Sequence, residues 1–193
     1  MALVPLRDIA SVQLGFSFRE GVRHDAAGAV RVIQMRDLCD DLIVDLENLE
    51  CVDMVPPDLQ WVKAGDILVR SRGDSATSAI VSKNPGRAVA AAPLLRVRVA
   101  DAAVLPAYLN WALNQPPAQA YLARNAEGSR VKMISGRVLE ELEVQIPPLV
   151  RQQDVLAMAQ LASRARTLQS DIDSRRRRLL SQVMMSYVEG SAR

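Results

Sequence analysis

After the pair Pro147-Pro148 the chain runs for more than thirty residues without another proline or a glycine, beginning "LVRQQDVLAMAQLASRARTLQSDIDSRRRRLL". Proline and glycine are the residues that most readily end a helix, so the run predicts one long helix starting at the pair. Within it Met158, Leu161, Ala165, Leu168, Ile172, Leu179, Val183 and Tyr187 recur at steps of three, four or seven, with Arg175 as a polar interruption. That spacing makes a narrow apolar seam of the kind found between two packed helices. A helix of about 35 residues rises ~50 Å, against a diameter of ~26 Å for a domain of this size. Most of it is expected to project past the globular part, where a bare apolar seam is an aggregation liability. The chain writes no second helix of comparable length. The expected cover is a second copy packed antiparallel, or a different protein; the alternative is a helix folded back over its own domain. The four arginines 175–178 go right round one helical turn. They are solvated or pair with acids on a partner, and contact with phosphate is the sharper reading.

The part before the proline pair reads as α+β. "PLRDIASVQL" (5–14) has the spacing of a short helix, with Leu6, Ile9, Ala10 and Gln13 on one face. "GFSFREG" (15–21) is a glycine-bounded turn, and "VRVIQMRDL" (30–38) alternates as a strand does. "LIVDLENLECV" (42–52) holds a strand or a hairpin, and turns follow at Pro56-Pro57 and Gly65-Asp66. In the next strand Ile67, Val69 and Ser71 face one way, and Leu68, Arg70 and Arg72 the other. "SAIVSK" and "PLLRVRVA" read as two more strands, the latter with Leu95, Val97 and Val99 inward and Arg96 and Arg98 outside. "PAYLNWALNQPPAQAYLARNA" is helical, interrupted at Pro116-Pro117. "EGSRVKMIS" is a loop, Ser135 caps a short helical turn, and "LEVQIP" returns as a strand. The expected organisation is a domain over residues 1–149 and a helix over 150–193.

Charge says little: Lys plus Arg number 24 and Asp plus Glu 22, a net charge of +2. The kind of base says more, since 21 of the 24 are arginine, whose planar fork suits phosphate and guanine edges. A GC-rich genome would give the same bias, together with the abundance of alanine. Cys39 and Cys51 with the single His24 make no zinc site. The two thiols read as small buried residues in a reducing compartment. The first residues lack the apolar core of a signal peptide, and no stretch of about 18 apolar residues would span a membrane. The expectation is a cytoplasmic protein.

No catalytic constellation is visible. One histidine makes a Ser-His-Asp or Cys-His site improbable, and His24 reads as an incidental loop residue. An adenine methyltransferase needs an Asn/Asp-Pro-Pro-aromatic tetrapeptide, whereas "NQPPA" has no aromatic after its prolines. "GDILVRSRGD" lacks the lysine of a phosphate loop. Asp37, Asp66 and Asp74 read as turn formers. No metal and no cofactor is expected.

Four stretches in order carry a resemblance. They are "VPLRDIASVQLGFSF" (4–18), with Leu6, Ile9, Gly15 and Phe18; "VKAGDILVRSRGD" (62–74); "LPAYLNWAL" (105–113); and "GSRVKMIS" through "LEELEVQIPPLVRQQDVL" (128–156). Together the chain resembles the specificity subunits of type I restriction–modification systems, with Gln152-Gln153 where the family commonly has Glu-Gln. The resemblance implies a target-recognition domain followed by a conserved helix. Known members usually carry two of each in tandem, with the helices antiparallel and the domains held apart. One of each implies half a subunit, completed by a second copy. It also implies double-stranded DNA as ligand, and as partners a methyltransferase subunit carrying S-adenosylmethionine and a restriction/translocase subunit. The expected DNA-binding residues are Arg70, Arg72, Ser75, Thr77, Lys83 and Arg87 after the central strand, and Ser129, Arg130 and Lys132 before the boundary. Arginine bonds guanine O6 and N7 with two donors, while lysine and serine hold phosphate. The competing expectation is a scaffold that docks methyltransferase subunits through the helix without touching DNA.

Overall fold

The computed structural model describes residues 3–73 and 75–190, the side chains of 188–190 excepted. The chain divides into two compact units, one through Gln153 and one from Asp154 onward.

The first unit is α+β. Its elements in order are β1 (Leu3–Pro5), α1 (Leu6–Ile9), β2 (Ala10–Leu14), β3 (Val30–Ile33), β4 (Glu50–Val52), β5 (Ile67–Arg70), β6 (Ser78–Ile80), β7 (Ala88–Ala90) and β8 (Leu94–Val99). Then come α2 (Pro106–Leu113), α3 (Pro116–Arg124), α4 (Gly136–Glu140), β9 (Glu143–Gln145) and α5 (Leu149–Gly190). The central sheet has the order β2-β8-β5-β6, all neighbours antiparallel. A second sheet has the order β4-β3-β7, with β3 and β7 parallel. β1 and β9 make a two-stranded ribbon.

Both faces of the central sheet are covered. On one, Ile67, Val69, Leu95 and Val97 pack against Leu109 and Leu113 of α2, Leu122 of α3 and Leu139 of α4. On the other, Leu68, Ala79 and Leu94 pack against Ile33, Ala88 and Ala90 of the second sheet. The outer face of that sheet, with Val30, Val32, Val52 and Val89, is capped by Phe16, Phe18, Met54 and Trp61. Burial on both sides explains why β5 reads as the continuous apolar run Ile67-Leu68-Val69, all three without exposed surface.

Three local expectations need correction. Only Leu6–Ile9 of the 5–14 stretch is helical, because from Ala10 the chain pairs with β8, Val12 lying opposite Val97. The 42–52 stretch is a strand only at Glu50–Val52, while Val44 donates to Ile80 O at 3.0 Å from a loop. Arg96 and Arg98 do not stand outside. Arg96 is only 6% exposed and donates to Leu59 O (2.8 Å), to Trp61 O (2.9 Å) and to the Gln13 side chain. The second face of β8 is roofed by residues 59–61, a covering that strand alternation does not reveal. The prolines at 116 and 117 open α3, as expected of residues with no N–H to satisfy. The Ser135 hydroxyl accepts from Val138 N at 3.3 Å and so caps α4.

Candidate nucleic-acid interface

β5 ends at Arg70, and the chain then meets a segment more than fifty residues further on. Ile134 N donates to Ser71 O (2.9 Å) and Gly73 N to Lys132 O (3.1 Å), so that Arg72 pairs with Met133 in a short antiparallel bridge. Met133 in turn exchanges two backbone bonds with Glu127, at 2.7 and 2.9 Å. Two glycines make this possible. Gly73 has φ +123, and Gly128 has φ +114 with room for no Cβ, since one would stand 2.3 Å from Val131 O. The two loops proposed separately from the sequence therefore form one ridge.

Arg72, Ser75, Ser129, Arg130 and Lys132 are all exposed on it. Among the described residues no ion pair neutralises Arg72, Arg130 or Lys132. Arg70 is placed differently. It is half-buried, and its Nη2 donates to Leu38 O (2.7 Å) and Met35 O (3.2 Å), which braces the turn after β3. Thr77 is half-buried behind the ridge, its carbonyl accepting from Arg70 N at 3.0 Å. Lys83 and Arg87 lie away from the ridge. β6 runs back along β5 to the end where Val81 N meets Asp66 O at 2.9 Å, and Arg87 stacks its guanidinium 5.4 Å over the Trp61 ring. Behind the ridge a hollow of about 200 Å³ is floored by Leu122 and Ile134, and Gln119 ties its wall by donating to Ala76 O (3.1 Å).

The acids near the strands serve the backbone. Asp66, 1% exposed, accepts from Lys63 N (2.7 Å) and takes both Nε and Nη2 of Arg98 at 2.7 Å. That bidentate bond holds the Arg98 guanidinium above its ordinary pKa. Asp37 accepts from Gln34 N at 2.7 Å; its carboxyl is nonetheless pushed up, because burial outweighs that bond and the nearby Arg36. Asp74 lies outside the described residues. Cys39 is exposed and Cys51 half-exposed, so the expected burial of the two thiols is not found. His24 is not idle: its Nδ1 lies 2.8 Å from Glu50 Oε2, and Glu50 also takes Arg36 Nη2 at 2.6 Å. The hydrogen bond from Arg36 holds the Glu50 carboxyl below the usual range. Among the described residues no cluster of metal-ligating side chains occurs, and no helix is long and apolar enough to cross a membrane.

Sequence reasoning missed Gln152. It is fully buried and satisfied at every point: its amide oxygen accepts from Leu105 N (2.9 Å), and its nitrogen donates to Ala103 O and Pro147 O, both at 2.8 Å. The available signal was a polar residue four positions after a proline pair. In the second unit, the seam residues Met158, Leu161, Ala165, Leu168, Ile172, Leu179, Val183 and Tyr187 are all exposed, Ile172 to 43% and Tyr187 to 77%.

No family model matches the chain, and no curated protein matches it. Solved structures do. The HsdS subunit from Thermoanaerobacter tengcongensis aligns over 85% of this chain and 37% of its own, with a TM-score of 0.63 and 16% identity. A chain from a structure addressing complex assembly and conformational transition of the type I R-M system aligns over 86% of this chain and 39% of its own, with a TM-score of 0.66 and 16% identity. The type I restriction–modification S subunit from M. genitalium aligns over 81% and 37%, with a TM-score of 0.54 and 12% identity. The chain thus spans well under half the length of each, and at such identity the likeness speaks for architecture. Its fold is that of the S subunits of type I restriction–modification systems.

Proposed function

We propose that this protein is a non-catalytic DNA-recognition subunit of a type I restriction–modification complex. One observation carries the reading: two loops remote in sequence converge as a single exposed cationic ridge, on an architecture shared with S subunits. Arg72 and Arg130 present guanidinium forks suited to guanine O6 and N7, and Lys132, Ser75 and Ser129 hold phosphates on either side. Arg70 acts through its neighbours, as a positioning residue for the ridge. The chemistry belongs to partners, a methyltransferase subunit that brings S-adenosylmethionine and a translocating nuclease, in the cytoplasm. The exposed seam of α5 supports pairing with a second, antiparallel copy. Such a pair reads a split, pseudo-palindromic site with half-sites about one helical turn (~34 Å) apart.

The test is selection of bound duplexes from a random pool, with and without a partner methyltransferase. Enrichment of one bipartite motif is the expected result. Capture of the methyltransferase without enrichment of any DNA sequence would replace this reading with that of a docking scaffold.

A further inference from the structure

The ridge ends against Pro93, whose carbonyl accepts from Ser71 N (3.2 Å) and from the Ser71 hydroxyl. On the far side of that segment the loop after β2 is fastened down. Phe16 N donates to Ala90 O (2.7 Å) and Ala92 N to Phe16 O (2.9 Å). Gly15 passes so close that a Cβ would stand 2.6 Å from Ala90 O. Arg70 draws the turn after β3 to the same end through Met35 O and Leu38 O. An open hollow of about 450 Å³ lies between this loop, the turn after β3 and the Pro93 segment, edged by Phe18, Met35, Arg36, Ala92 and Pro93.

The loop's composition is unusual for a mere connection. It carries both phenylalanines of the chain, Phe16 and Phe18, edge to face with centroids 4.9 Å apart. Of its other ionisable side chains, Arg23 pairs with Glu20 (3.1 Å), the His24 ring meets Glu50 (2.8 Å), and exposed Asp25 accepts from Ala27 N (2.9 Å). Arg19 is exposed and has no ion pair among the described residues. The ridge, the Pro93 segment and this loop leave from β5, β8 and β2, three adjacent strands of one sheet. At ~4.8 Å between strands their ends cover ~10 Å, close to the ~12 Å width of the DNA major groove. A strip of that width fits the groove of a duplex rather than a small ligand.

We propose that the loop after β2 is a second reading arm on the same duplex, which rests on the DNA-recognition reading above. Phe18 makes an apolar contact with a base, of the kind a thymine methyl offers, and Arg19 holds the adjacent phosphate.

The experiment uses the full chain, with its methyltransferase where binding requires it, and the duplex selected by the wild type. Arg19→Ala weakens binding several-fold on specific and random duplex alike and lowers the salt slope by about one. Phe18→Ala relaxes base preference at one or two positions next to those altered by Arg130→Ala. Phe18 is half-buried, so a melting curve accompanies it, and Arg19→Ala, on the surface, decides the matter if Phe18→Ala does not fold. Unchanged affinity and salt slope in Arg19→Ala, beside an impaired Arg130→Ala, would overturn the second arm and leave DNA recognition standing. A wild type that binds no duplex under either condition would overturn both.

Discussion

Arg70 and Arg72 lie two residues apart at the end of one strand, and their surroundings give them opposite work. Arg70 donates to two main-chain carbonyls, while Arg72 faces solvent. Arg70→Ala should lower stability by ~1.5–3 kcal/mol, the range for charged hydrogen bonds, visible as a drop in Tm. Arg72→Ala and Arg130→Ala should leave Tm within error and cost ~1–3 kcal/mol on the specific duplex if each reads a base. An equal loss on random duplex would reassign them to phosphate. Glu50 supplies a pH signature. Its folded pKa lies below the unfolded value because of Arg36, so its contribution is present above the ordinary carboxylate range and fades as pH falls through the depressed value. Glu50→Gln should therefore lose less Tm between neutral and strongly acid pH than the wild type does. An identical loss in both would remove Glu50 from the account.

Among the elements, β8 shows where pattern reading stops. Its alternation correctly set Leu95 and Val97 inward, yet Arg96 is buried too, since a second layer covers the other face. Alternation marks the greasy face of a strand; it is silent about a roof built from residues 59–61. The start of α5 was legible from Pro147-Pro148, but its anchor was not: Gln152 closes three hydrogen bonds with loops on either side of it. Gln152→Ala leaves Leu105 N and two carbonyls without that partner and should cost ~1–3 kcal/mol, checked by denaturant unfolding of the first unit. Further along α5 the seam side chains are exposed, so changing them should spare the domain. Leu161→Asp with Val183→Asp should abolish self-association in sedimentation while leaving the melting of the first unit unmoved. Retained dimerisation would move the interface off this seam.

For the whole molecule, if two copies pair as proposed, the decisive quantity is the distance between their two reading surfaces. If α5 sets it, one heptad inserted after Leu168 lengthens the pair by ~10 Å. The preferred spacer between half-sites should then grow by about three base pairs, read directly from selected sequences. An unchanged spacer would count against the antiparallel pair. A monomer at every concentration would leave a single reading head, and only half-sites would be enriched.

The sequence by itself determined that a strand-rich stretch precedes one long helix opening just after Pro147-Pro148. Helix length, apolar period and proline position are local properties, and each acts within a few residues. It also singled out Arg72, Ser75, Ser129, Arg130 and Lys132, because basic and hydroxyl side chains in loops can be recognised one at a time. Only the tertiary structure decided that these belong together, that Arg70 is spent on carbonyls, and that Lys83 and Arg87 lie elsewhere. Those outcomes depend on backbone bonds between segments more than fifty residues apart, such as Gly73 to Lys132. Such pairings are chosen by the packing of the whole core, and no local pattern records them.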